Sequence, residues 1–116
     1  MIKSFKYAYQ GIVWAWQEPT FRILLVITLI VLLLMVVFRV TLLEAAILIL
    51  TIAMVLSFEL LNSQVERTLN IIKVEQDERI GQIKDMAAAT VLLASIGAAA
   101  IGLLIFLPRL IALFFS

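Results

Sequence analysis

The stretch AAILILTIAMVLSFELLNSQVE, residues 45–66, decides the fold. It begins as a continuous apolar run and ends in polar side chains with helical spacing: Glu59, Asn62, Ser63 and Glu66. At about 100° per residue, these four side chains share one face of a helix. Carboxylates close to hydrocarbon cost free energy unless they are paired, wetted or bound to a cation. We therefore interpret this polar stripe as a functional site.

The composition places the chain in a lipid bilayer. Its 116 residues are 65% hydrophobic, and the mean hydropathy is +1.18, which is too apolar for a small soluble domain. The net charge of +1 gives no basic surface of the kind that binds nucleic acid. The chain has no Cys and no His, which excludes disulfides, thiol chemistry and a histidine base. Any proton transfer must therefore rely on carboxylates, Lys or Tyr.

The N-terminal segment, residues 1–17, has the pattern of an amphipathic helix on the membrane surface. Apolar and aromatic side chains line one face, and Lys3 and Lys6 lie to one side of it. The alternative is a solvent-facing helix with a modest apolar stripe, which fits the five aromatic residues of this segment less well. Pro19 disfavours helix at the preceding residue, so the chain turns there and presents Glu18 at the interface.

Three apolar runs predict three transmembrane helices, at residues 21–39, 44–70 and 84–107. The second helix outlasts the bilayer and continues as a cytoplasmic amphipathic extension. A mixed-charge connection follows, for which we predict a solvated loop with an ion pair between Glu75 and Arg79. The predicted fold class is all-α: an integral membrane protein with three transmembrane helices and an N-terminal amphipathic surface helix, in one membrane domain.

The distribution of Lys and Arg predicts the orientation. These residues are more frequent in the N-terminal arm and in residues 67–84 than on the other side of the membrane, which puts the N-terminus and the second loop in the cytoplasm. A stripe of small residues in the third span allows another helix to approach closely: Thr90, Ala94, Ala98 and Gly102. Because three short helices make a thin bundle, we expect a homo-oligomer with sites between subunits.

Four carboxylates are predicted at the cytoplasmic face, accompanied by Asn62 and Lys84: Glu18, Glu59, Glu66 and Asp85. Carboxylates without His or Cys suit a hard cation, and Mg²⁺ typically takes one or two carboxylates plus phosphate oxygens. This combination favours a phosphate substrate, with Lys84 meeting phosphate charge. The alternative is that these charges only mark helix ends in water. The chain has no Walker A loop, which excludes a P-loop kinase mechanism.

Several motifs resemble the small bacterial integral-membrane lipid kinases, the diacylglycerol kinase and undecaprenol kinase family. They are SFKYAYQG at residues 4–11, Glu18 before Phe21 and Arg22, ELLNSQVE at residues 59–66, and KDMAA at residues 84–88. The resemblance covers essentially the whole chain. The combination of Glu-x-x-Asn-[Ser/Thr]-x-x-Glu with a later Lys-Asp is its most specific part.

The resemblance implies a homotrimer in the bacterial cytoplasmic membrane that uses Mg-ATP to phosphorylate a lipid hydroxyl at the cytoplasmic face. It implies that Glu59 is the catalytic base and that Glu18 and Glu66 hold Mg²⁺. The nucleotide site it implies contains Tyr7, Asn62, Gly81, Lys84 and Asp85, with Lys3 as a further candidate.

One position departs from the family pattern. Asn70 stands where the motif normally carries Asp, so an amide replaces a charge and the affinity for nucleotide or metal is open. The alternative function is therefore a non-enzymatic membrane scaffold or transporter, a degenerate relative of the lipid kinases. The lipid is also open: residues 106–108 and 4–11 resemble the undecaprenol kinase branch, but diacylglycerol presents the same primary hydroxyl.

Overall fold

The computed structural model describes residues 1–72 and 77–115. The described residues form four helices and no strands: α1 (Ile2–Ala15), α2 (Pro19–Val37), α3 (Leu42–Ile72) and α4 (Glu78–Phe115). By length and composition, α2, α3 and α4 can each cross a membrane. The predicted fold class, all-α with three apolar spans and an additional N-terminal helix, is confirmed.

The turn between α1 and α2 is set by proline. Pro19 is the first residue of α2, where its missing N–H and fixed φ are tolerated. Glu18 before it is extended, with φ −83° and ψ 120°. Ala15 and Phe21, on either side of the turn, are buried. The turn therefore has a defined position against the rest of the chain, and its carboxylate is held at a fixed place.

The connection between α2 and α3 combines two capping motifs. Arg39 adopts the left-handed conformation, with φ 51°, and the amides of Arg39 and Val40 donate to the carbonyls of Val36 and Met35. This is the Schellman arrangement that ends helices. Thr41 and Glu44 then exchange side chain to backbone hydrogen bonds of 3.1 and 2.9 Å, the capping box that begins α3.

The best-packed apolar region lies where α2, α3 and α4 meet. On α3 it contains Leu48, which lies about three helical turns before the Glu59 of the polar stripe. Leu48, Ile105 and Phe106 are buried there, and the Phe38 ring contacts the Phe106 ring with centroids 6.1 Å apart. At the same end of α3, the Arg109 guanidinium donates two hydrogen bonds to the carboxylate oxygens of Glu44. This end of the bundle is therefore fixed by both packing and a paired charge.

Two helices, α3 and α4, are longer than the predicted spans, whereas α2 has the predicted length and begins two residues earlier. The third predicted span, residues 84–107, lies inside α4, which begins at Glu78 and continues through Pro108 to Phe115. The predicted partner of Arg79, Glu75, lies outside the described residues, so that ion pair stays a prediction. Within the described residues, Arg79 pairs with Asp77 at 2.6 Å and holds the pKa of Asp77 below its usual value.

Candidate active site

The polar stripe is built on the face of α3 that turns inward. Val55, Glu59 and Ser63 follow one another at intervals of four residues, and all three are buried. The Glu59 residue is only 5% exposed. A carboxylate this deeply buried is costly unless it has a task or a partner. The burial of Glu59 is therefore the first observation that favours a functional role for the inward face of α3.

Glu59 is not the only carboxylate in this region. The turn between α1 and α2 brings Glu18 to α3, and Glu66 follows two helical turns after Glu59. The negative charges of both side chains act on the Glu59 carboxylate. The structure thus gathers three of the four predicted carboxylates into one electrostatic cluster. Such a cluster attracts cations, because each carboxylate raises the energy of the others.

The cluster contains a cation that the sequence analysis did not select. Arg67 Nε and Nη2 donate to the same oxygen of Glu18, Oε1, at 2.9 and 2.7 Å. This pair joins the α1–α2 turn to α3. A sequence signal was present, because Arg67 lies four residues after Ser63 and eight after Glu59, and therefore on the same side of the helix.

Asn62 completes the inner part of the site. Its side-chain oxygen Oδ1 is buried and has no hydrogen-bond partner among the described residues. Buried polar atoms are nearly always satisfied, so an orphan needs an explanation. An amide oxygen can accept a proton donor or coordinate a hard cation. A ligand in this place would supply the missing partner.

Lys84 joins the beginning of α4 to the end of α3. Its ammonium donates to Asn70 Oδ1 at 3.0 Å. The departure from the family motif therefore keeps a hydrogen bond to the predicted phosphate-binding lysine. Asp85, the next residue, is exposed.

A cavity of about 430 Å³ opens between α1 and α3 beside Glu18 and Arg67. This volume is within the usual range for small-molecule sites. Its lining residues are Gly11, Trp14, Ala15, Glu18, Ser63, Gln64 and Arg67. The ion pair of Glu18 and Arg67 thus lies in the wall of a cavity that is large enough to admit part of a substrate.

A protein-family model described as prokaryotic diacylglycerol kinase matches residues 6–106. The chain belongs to this family. The match confirms the resemblance that the motifs predicted. No curated protein matches the chain. Membership in the prokaryotic diacylglycerol kinase family, together with the three apolar helices, indicates a membrane protein and a lipid kinase of the diacylglycerol kinase type.

The donor set can be compared with what a lipid kinase needs. Among the described residues, no group of three or more His, Cys, Asp and Glu side chains is arranged to hold a metal ion. A magnesium ion that arrives with a nucleotide needs fewer, because it usually takes one or two carboxylates and completes its shell with phosphate oxygens and water. Glu18, Glu66 and the Asn62 side-chain oxygen are oxygen donors of the kind that such an ion takes. That Glu18 and Glu66 hold Mg²⁺ stays a prediction.

Two predicted nucleotide-site residues are exposed within the single chain. Tyr7 lies on α1, and Gly81 lies in the first turns of α4. Their predicted role in nucleotide binding stays a prediction.

Proposed function

We propose that this chain is an ATP-dependent lipid kinase that transfers the γ-phosphate of Mg-ATP to the hydroxyl of a membrane lipid at the cytoplasmic face. The observation that carries the proposal is the buried Glu59 carboxylate, with the charges of Glu18 and Glu66 near it and an orphan Asn62 oxygen on the same helix. Family membership supports the reaction class.

In the proposed mechanism, Glu59 is the general base. Its carboxylate accepts the proton of the lipid hydroxyl as that oxygen forms a bond to the γ-phosphorus. The bond from the γ-phosphorus to the oxygen that bridges to the β-phosphate breaks, and ADP leaves with the electron pair. Because Glu59 is buried next to apolar side chains, it meets a lipid hydroxyl more readily than bulk water. The burial therefore favours phosphorylation of lipid over hydrolysis of ATP.

The remaining residues position the phosphates. Glu18 and Glu66 would hold Mg²⁺, which when bound neutralises phosphate charge. Lys84, held by Asn70, would bind phosphate oxygens as a point charge, and Asp85 would contribute to the nucleotide site. Tyr7 and Gly81 would contact the nucleotide from α1 and α4.

A second cavity supports a lipid as the acceptor. It also measures about 430 Å³ and lies between α2, α3 and α4 among almost entirely apolar side chains. On α3 it reaches Val55 and Leu56, and Val55 is one helical turn from Glu59 on the same face. A hydrocarbon chain between the helices would bring its terminal hydroxyl toward that carboxylate. Diacylglycerol and undecaprenol both meet this requirement.

We further propose that the enzyme works as a homotrimer with sites shared between subunits. Few apolar side chains of the described residues are buried within one chain. Gly102 is the glycine of the small-residue stripe of α4, and a Cβ atom added there would meet no other atom within 4 Å. At this position the stripe is therefore not closely packed within the chain, as expected where helices of other copies complete the packing.

The competing proposal is a non-enzymatic scaffold or transporter, which Asn70 favours. The hydrogen bond from Lys84 weakens that proposal, because the amide keeps the lysine in place. One experiment separates the two. Purified protein in mixed micelles is given Mg²⁺, ATP labelled at the γ-phosphate, and diacylglycerol or undecaprenol. Label in the lipid fraction, lost with EDTA, supports the kinase; absence of label with every lipid supports the scaffold.

A further inference from the structure

Arg67 is hydrogen-bonded to Glu18, one of the two carboxylates that the proposed function assigns to the metal. Two donors of the guanidinium converge on Glu18 Oε1. The Glu18 side chain makes no capping hydrogen bond to its own helix. Within the described residues, the hydrogen bonds that it receives are the two from Arg67. A divalent cation at Glu18 would meet this guanidinium at the same carboxylate, and two cations compete for one anion.

We propose that Arg67 is a placeholder for the divalent cation: it holds Glu18 against α3 when no metal is bound, and it exchanges that carboxylate for nucleotide phosphate when the metal nucleotide arrives. This inference rests on the proposed function and assigns to it a residue outside the family motif. Arg67 is in this way a positioning residue for the metal site and a binding residue for the nucleotide.

The surroundings of Arg67 fit both partners. It lines the same cavity as Glu18, together with Ser63 and Trp14, so a guanidinium released from the carboxylate remains at the cavity wall. It directly follows Glu66, the other proposed metal ligand. Guanidinium groups bind carboxylates and phosphates with similar geometry. An exchange between the two therefore needs only rotation of the side chain.

The pair is better suited to exchange than to permanent support. The Arg67 side chain is 47% exposed and that of Glu18 26%. Ion pairs in contact with water add little to stability, since solvent screens them. Their interaction is therefore weak enough for a divalent cation to displace. The pair keeps the α1–α2 turn next to α3 in the meantime, so that the ligand is already in place.

The first test measures binding of the metal alone. Free Mn²⁺ is determined by electron paramagnetic resonance in the presence of the purified, detergent-solubilised protein, without nucleotide or lipid. If Arg67 competes for Glu18, Arg67→Ala binds Mn²⁺ more tightly than the wild type, by about two- to fivefold for an exposed ion pair. Arg67→Lys keeps the positive charge but loses the paired N–H donors of the guanidinium. Its Mn²⁺ affinity should lie between those of the wild type and Arg67→Ala.

Two further variants separate competition from a general effect of charge. Arg22→Ala removes the same charge one helical turn after Glu18, from a side chain that forms no ion pair within the described residues, and should raise Mn²⁺ affinity less than Arg67→Ala does, because only a distant, screened repulsion is lost. In a Glu18→Gln background, Arg67→Ala should have no further effect, because the shared carboxylate is gone. Equal gains from Arg22→Ala and Arg67→Ala would overturn the proposal.

The second test uses the nucleotide. Arg67→Ala should raise the KM for ATP about two- to tenfold, because a phosphate contact is lost, while the metal alone binds more tightly. A purely structural role would weaken both. If Arg67→Ala and Arg67→Lys bind Mn²⁺ as the wild type does or more weakly, the placeholder role is wrong while the kinase proposal stands. If the wild type binds no Mn²⁺ without nucleotide, Arg67 has no metal to compete with in the free protein and the placeholder role is wrong, whereas the proposed function, in which the metal arrives with the nucleotide, is not contradicted.

Discussion

Glu59 carries the chemistry at the scale of single residues. It is the polar stripe's most buried carboxylate, and the sequence identified it because an acidic residue interrupts an apolar helical face. Spacing along one helix placed Asn62 and Glu66 with it for the same reason. The contact between Glu18 and Arg67 spans 49 positions in the sequence, so periodicity within either helix could not reveal it.

Glu59→Gln should leave the helices folded and reduce lipid phosphorylation by at least about 100-fold, because an amide cannot accept the hydroxyl proton. Turnover is measured as label transferred to lipid, and circular dichroism checks the fold. Glu78→Gln is the matched control, because Glu78 is an exposed carboxylate at the start of α4; it should retain activity within about twofold. Wild-type turnover in Glu59→Gln would exclude the base role.

Asn70 and Lys84 give a second test at the residue scale. If the amide oxygen of Asn70 positions the Lys84 ammonium for phosphate, Asn70→Ala should raise the KM for ATP about two- to tenfold with little change in kcat. Asn70→Asp keeps an acceptor at the same position and should lie closer to the wild type. Steady-state kinetics measure both, and an unaltered KM in Asn70→Ala would mean that the hydrogen bond has no part in binding.

At the scale of helices, the sequence predicted the apolar parts and the polar extension of α3, but it missed the polar beginning of α4. The polar residues at the start of α4, including Glu78 and Arg79, are good helix formers, so the helix begins before its apolar stretch. Pro108 marks the end of the uncharged run, but α4 continues to Phe115, and the Arg109 guanidinium just after the proline pairs with Glu44 of α3. The apolar pattern predicted that the second span begins at residue 44, whereas the capping box of Thr41 and Glu44 starts α3 at Leu42.

Thr41→Ala should reduce the free energy of unfolding by about 1 kcal/mol, because the first turn of α3 loses its side-chain cap. Thr41→Ser keeps the hydroxyl and should restore most of the loss. Unfolding is followed by circular dichroism in mixed detergent as the denaturing detergent increases. Equal stability of Thr41→Ala and the wild type would show that this cap does not limit folding.

At the scale of the whole molecule, one chain accounts for part of the site. The structure joins Glu18 to Arg67 and Lys84 to Asn70, whereas Tyr7, Gly81 and Asp85 are exposed. Contacts between copies cannot be predicted from sequence patterns. A stripe of small residues indicates that another helix can approach closely, but it does not identify that helix.

The homotrimer has a direct test. Light scattering of the detergent-solubilised protein, corrected for detergent, should give a protein mass three times the 13.0 kDa of one chain. A mass of a single chain in an active preparation would contradict shared sites. Co-assembly of Glu59→Gln chains with chains inactivated at Tyr7 should then restore some activity, if the two residues serve one site from different subunits.

The central claim is that carboxylates from separate helices serve one divalent cation at the lipid kinase site. The Mg²⁺ dependence of lipid phosphorylation in Glu66→Gln tests it most directly, with Glu78→Gln as the control. The account predicts a half-saturating Mg²⁺ concentration that rises about tenfold or more in Glu66→Gln and is unchanged in the control. An identical Mg²⁺ dependence in Glu66→Gln and the wild type would contradict the account.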